Sequence, residues 1–165
     1  MSSTSDVAPV LDGETDLPIF TTDLRKAARR SESETSEWTD EKHERALFRY
    51  RRFFALARRG GPIAPTREID MIWHLHMLAP VAYYRDCQRY LNRILDHDGG
   101  FGKTPEEAEE LANVFFQTAE RWEQAYGEPY VANACGQTKC WHDCQNRCWH
   151  ACKQAYAAPE LRAVT

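Results

Sequence analysis

The sequence predicts an all-α fold, a single compact helical domain of about five main helices. Three observations carry that prediction. Apolar residues recur at helical spacing over long segments, residues that start and stop helices bracket those segments, and no period-2 strand pattern of useful length occurs. At 165 residues with 42% apolar content the chain suits one domain. The expected division is a mostly disordered tail over 1–37, a helical domain over 38–134, and a Cys-rich helix and tail over 135–165. Charge adds a second bound. With 21 basic and 25 acidic residues the net charge is -4, so no strong field for nucleic acid or a membrane surface is implied. No nucleic-acid partner and no membrane association are expected. The N-terminal stretch MSSTSDVAPVLDGETD has no basic head followed by an apolar run, and no apolar run approaches the roughly 18 residues of a membrane span. A cytoplasmic protein is the expectation. In that compartment six cysteines are more often metal ligands or redox thiols than structural disulfides.

Within the tail, DLRKAARR after the apolar patch LPIF is able to form a short helix that docks one turn on the domain. The folded part is expected to open at Thr39, an N-cap, with Ala46, Leu47, Tyr50, Phe53, Phe54 and Ala57 on one face. Arg45, Arg49 and Arg52 lie opposite, read as a solvated face in preference to an RNA or phosphate patch. GGPIAP, residues 60–65, breaks this helix. Thr66 caps a second, TREIDMIWHLHML, whose apolar residues leave no wide polar stripe and predict burial. Pro80 predicts a kink or a new start before VAYYRDCQRYLNRILD. After the DHDGGFGK loop, Thr104, Pro105 and Glu107 stand in order as N-cap, N1 proline and capping-box glutamate. The helix they open runs to about Tyr126, with Leu111, Val114, Phe115, Ala119, Trp122 and Tyr126 on one face.

Two features carry the chemistry. The first is His74 and His76, two residues apart, which a regular helix separates by about 160° around its axis. They cannot grip one ion together unless the helix is distorted. Asp70 shares a face with His74, and a plain Asp70–His74 hydrogen bond is the structural alternative to metal ligation. If a metal is bound, the favoured set is His74 with His97 from the HDGG loop, and Asp70 or Asp98 as ligand or supporting partner.

The stretch PTREIDMIWHLHMLAPVAYYRDC followed by LDHD resembles the signature of the glycine-rich domain-containing protein-like family. The matching residues are Pro65, Thr66, Ile69, Asp70, Trp73, His74, His76, Leu78, Pro80, Tyr83 or Tyr84, His97 and Asp98, and YGEPY over 126–130 resembles a later family motif. The resemblance extends over about residues 40–145 and implies that His74, His76 and His97 matter, without naming a reaction. The chain departs from the pattern in having no glycine-rich region and in carrying a regular cysteine ladder.

That ladder is the second feature. CWHDCQNRCWHAC repeats Cys-Trp-His-x-Cys with a period of eight, and with Cys135 it sets out Cys140, Cys144, Cys148 and Cys152. On a helix, thiols four apart drift by about 40° and rise about 6 Å per step, forming one stripe that excludes His142 and His150. Cys140 and Cys152 would lie about 18 Å apart, too far for one zinc ion with bonds of about 2.3 Å. A line of thiols suits several low-coordinate soft ions, Cu(I) above all, and its spacing resembles that of bacterial cuprous-ion storage proteins. For one Zn ion, either the helix breaks near Gln145 and Asn146 or a pair is completed from elsewhere, by Cys87, Cys135, His97 or a second subunit. Disulfides, redox switching and buried thiols without metal are the competing readings.

The function expected is therefore small metal-binding protein, with soft-metal thiolate binding of Cu(I) or Zn on the C-terminal helix and a His-based site in the core. One alternative is a metal-dependent oxidoreductase or modification enzyme using the histidines with Tyr83 or Tyr84 nearby, for which an open position beside His74 is required. Others are a Cys-rich modification substrate and an interaction module binding a partner, or a homodimer, through the Cys-rich helix.

Overall fold

A computed structural model describes residues 17–131. Among them are five α-helices and no strand: α1 (Leu24–Arg30), α2 (Asp40–Arg58), α3 (Arg67–Met77), α4 (Pro80–Leu91) and α5 (Pro105–Tyr126), with a 3-10 turn at Glu34–Glu37. The all-α expectation holds. The count of five is reached differently, because α1 supplies one helix and the expected Cys-rich helix lies outside the described residues.

Caps place the helices as the sequence predicts. Thr39 accepts from the Lys42 amide, and Thr104 and Glu107 form a reciprocal capping box ahead of Pro105. Thr66 stands at the N-cap of α3 but makes no side-chain capping bond. Pro80 gives a new start, at N1 of α4. That helix stops at Leu91, short of the expected Asp96, because Asn92 takes the left-handed conformation (φ 56°) that ends a helix. The early stop frees Leu95 to enter the core.

The core gathers Tyr50, Phe53, Phe54 and Leu56 of α2, Ile69 and Ile72 of α3, and Trp122 of α5, all fully buried. Tyr130 is buried with them and donates to the Ala64 carbonyl at 2.8 Å. The helix expected of DLRKAARR forms as α1 and docks, and the packing extends along residues 17–37: Leu24, Ala28 and Thr35 are buried, Arg51 donates to the Pro18 carbonyl at 2.7 Å, and Phe20 stacks 4.6 Å from the His76 ring. One expectation is corrected here: the Arg45, Arg49, Arg52 face is not simply solvated. Arg49 and Arg52 both pair with Glu128 while their guanidinium groups lie 4.7 Å from the Trp122 and Tyr126 rings, and Arg45 pairs with Glu68. Arg49 and Arg52 clamp α2 to the YGEPY segment, and Arg45 ties it to α3. The α3 helix also departs from uniform burial, since His74 and the C-capping Leu78 (79% exposed) face outward.

Candidate metal centre

Asp70 and His74 lie one turn apart on α3, and the chain must return from the end of α4 to bring a third group to them. Three contacts make that return. Trp73 Nε1 donates to the Tyr83 hydroxyl at 2.8 Å, Tyr83 in turn donates to the Leu95 carbonyl, and Leu95 is buried two residues before His97. The His97 ring then rests edge-on against Trp73, with centroids 4.6 Å apart. Tyr83 is thus the tyrosine of the pair that supports the site, whereas Tyr84 is exposed.

The result is a convergence of three ligand atoms. His97 Nε2 lies 2.7 Å from Asp70 Oδ1, His74 Nε2 lies 3.1 Å from His97 Nε2, and His74 Nε2 lies 3.7 Å from Asp70 Oδ1. The Asp70 carboxylate is buried (3% exposed), His97 nearly so (8%), and His74 half open to solvent (49%). The hydrogen bond that the Asp70 carboxylate accepts raises the His97 pKa, against the lowering effect of burial. A proton thus stands where the three donors meet. A cation placed there would have to displace it.

His76 does not join this group. Undistorted α3 points it the other way, into the core, where Nδ1 accepts from the Tyr50 hydroxyl at 2.9 Å and Nε2 donates to Asp86 Oδ2 at 3.1 Å. Burial lowers its pKa despite Asp86, which suits the neutral tautomer those two partners select. Asp86 also accepts from the Thr21 amide at 2.8 Å and the Thr21 hydroxyl at 2.7 Å. Sequence reasoning missed Asp86 and Tyr50. The available signal was a carboxylate at position i+3 of the buried stripe Tyr83, Asp86, Cys87 on α4. Asp98 is likewise apart from the cluster, its carboxylate accepting from the Gly100 amide at 3.0 Å within the loop.

Cys87 is fully buried and unpaired with any disulfide partner, which removes it as a surface-accessible ligand for the ladder. Cys135, Cys140, Cys144, Cys148 and Cys152, and with them the expected partner or homodimer contact, lie outside the described residues.

Residues 14–86 match the sequence model of the family described as glycine-rich domain-containing protein-like. This segment belongs to that family. The match begins ahead of α1 and ends at Asp86, so it takes in Asp70, His74 and His76 and leaves His97 beyond its end. Two relatives from Arabidopsis thaliana are similar over the same length of chain. Glycine-rich domain-containing protein 1 is 35% identical over 71 residues, covering 40% of this chain and 8% of the relative. Glycine-rich domain-containing protein 2 is 34% identical over 71 residues, covering 42% and 8%. The chain therefore spans about 8% of the length of these curated relatives. No solved structure matches the chain significantly. No helix among the described residues is long and apolar enough to cross a membrane.

Proposed function

We propose that this is a metal-binding protein whose centre in the folded domain is Asp70, His74 and His97, with zinc as the ion. One observation supports this reading above others: the spacing of the three donor atoms. A tetrahedral ion with bonds of about 2.0–2.1 Å holds its ligands about 3.3–3.4 Å apart. The three distances of 2.7, 3.1 and 3.7 Å bracket that edge, so binding needs each separation to change by less than about 1 Å. Two imidazoles and a carboxylate suit zinc and disfavour Cu(I), which prefers thiolate. The Cu(I) reading therefore belongs to the cysteine ladder alone, as does soft-metal thiolate binding on the C-terminal segment.

The test is metal content by mass spectrometry after anaerobic purification, in a background with Cys135, Cys140, Cys144, Cys148 and Cys152 changed to Ser. About one equivalent of zinc retained there, and lost in His74→Ala and His97→Ala, is the expected result. Equal metal in all three proteins would exclude the site. The oxidoreductase alternative is favoured by the half-exposed His74, since two histidines and one carboxylate with open positions also form the donor set of non-haem iron oxygenases. Iron in place of zinc in the same measurement would select it.

A further inference from the structure

Of the three groups of the proposed centre, only His74 reaches the surface. The Asp70 and His97 side chains are 3% and 8% exposed against 49% for His74, so the solvent side of the centre is the His74 side. His74 also belongs to the wall of a groove of about 630 Å³ between α1 and α3, whose apolar lining is Ala27, Met71, Leu75, Leu78 and Ala79. That volume falls within the roughly 300–1,000 Å³ of small-molecule sites. Helical geometry makes the two features neighbours. Counted at about 100° per residue from Asp70, His74 stands at about 40°, Leu78 at about 80°, Met71 at about 100° and Leu75 at about 140° around α3. Centre and groove take adjoining sectors of one helix.

Charge selects what fits there. Asp70, His74 and His97 leave a tetrahedral ion one position, which water or a substrate takes in sites with three protein ligands. With both histidines neutral and Asp70 ionised, a divalent ion keeps one net positive charge, which a single carboxylate cancels. The groove's own carboxylate, Glu32, is exposed and repels an anionic head, so such a head is left to the ion. Building on the proposed centre, we infer that groove and ion together bind an aliphatic monocarboxylate, its carboxylate replacing water on the ion beside His74 and its chain lying on Ala27, Met71, Leu75 and Leu78. Covering this floor removes apolar surface from water, and Leu78, largely exposed at the C-cap of α3, gains cover. An alkylamine has the chain with the wrong charge for the ion. Acetate has the head without the chain.

Titration calorimetry of the full-length chain tests the inference, in the background with Cys135, Cys140, Cys144, Cys148 and Cys152 changed to Ser. The probes are octanoate, acetate and octylamine, each with zinc and with chelator. Octanoate is expected to bind the zinc-loaded protein about tenfold or more tightly than acetate, and to lose that binding in chelator and in His74→Ala. Leu78→Glu, which leaves the three metal ligands in place, should bring octanoate down toward acetate in protein that has kept its zinc. Octanoate binding that is equal with zinc and with chelator would overturn the inference. So would acetate binding as tight as octanoate, or octylamine binding that gains from zinc as much as octanoate does. Lack of octanoate binding to protein shown to hold zinc would also overturn it, and would leave the three-ligand centre standing. Absence of any His74-dependent zinc would remove the centre and the inference together.

Discussion

Asp86 accepts three hydrogen bonds, whereas the Asp70 carboxylate of the proposed centre accepts one. Its carboxylate is buried and accepts from the Thr21 amide, the Thr21 hydroxyl and His76 Nε2, so one side chain ties the N-terminal segment to α3. Removing this acceptor leaves the buried His76 ring nitrogen unsatisfied and frees both Thr21 donors. Asp86→Ala should therefore cost about 3 kcal/mol, read as a lower urea midpoint, and limited proteolysis should cut faster around residues 17–22. Unchanged proteolysis there would show that Phe20 packing alone holds the segment. Cys87 makes a contrasting case. Burial pushes its thiol pKa up, reducing the thiolate that alkylating agents attack. In a variant whose other five cysteines are Ser, iodoacetamide labelling of Cys87 should be slow in the folded protein and become fast in denaturant. Rapid labelling of the native state would contradict its placement.

At the scale of elements, the connection between α2 and α5 is fastened by polar groups. The Thr118 hydroxyl accepts from the Ala64 amide at 3.0 Å and donates to the Val114 carbonyl at 2.7 Å, while Arg121 donates to the carbonyls of Leu56, Gly60 and Pro62. Thr118→Val keeps the volume and strands the Ala64 amide, so a loss of about 1–2 kcal/mol is expected in thermal unfolding, with Thr118→Ser close to the natural protein. Helices were legible in the sequence wherever periodicity and caps agreed, as at Thr39 and at Thr104 with Pro105 and Glu107. What escaped was decided by partners distant in sequence. The burial of α1 depends on α2 and α3, and the arginine face on Glu128 some 80 residues away. The site divides the same way. Helical geometry alone separated His74 from His76, and it left His97 as the loop residue able to complete the set. The Trp73–Tyr83–Leu95 relay that delivers His97 has no signature in sequence spacing.

For the molecule as a whole, the proposed centre joins α3 to the loop between α4 and α5, so an ion there would act as a cross-link on the fold. An ion that binds the folded state and not the unfolded chain stabilises by about 2.7 kcal/mol at one hundred times its Kd. For a domain of this size that corresponds to a rise in Tm of roughly 10 °C. The ligands differ in what their loss does to the metal-free fold. His74 is half exposed, whereas the side chains of Asp70 and His97 are buried and bonded to each other. His74→Ala should accordingly leave the Tm of the metal-free protein nearly unchanged and abolish the rise on zinc addition. Asp70→Ala should lower the metal-free Tm as well, because it strands His97 against Trp73 without an acceptor. Calorimetry of the three proteins, each with zinc and with chelator, separates the ion's contribution from that of the side chains. A zinc-induced rise that survives His74→Ala in the background lacking the five C-terminal cysteines would mean that the ion sits elsewhere in the folded domain.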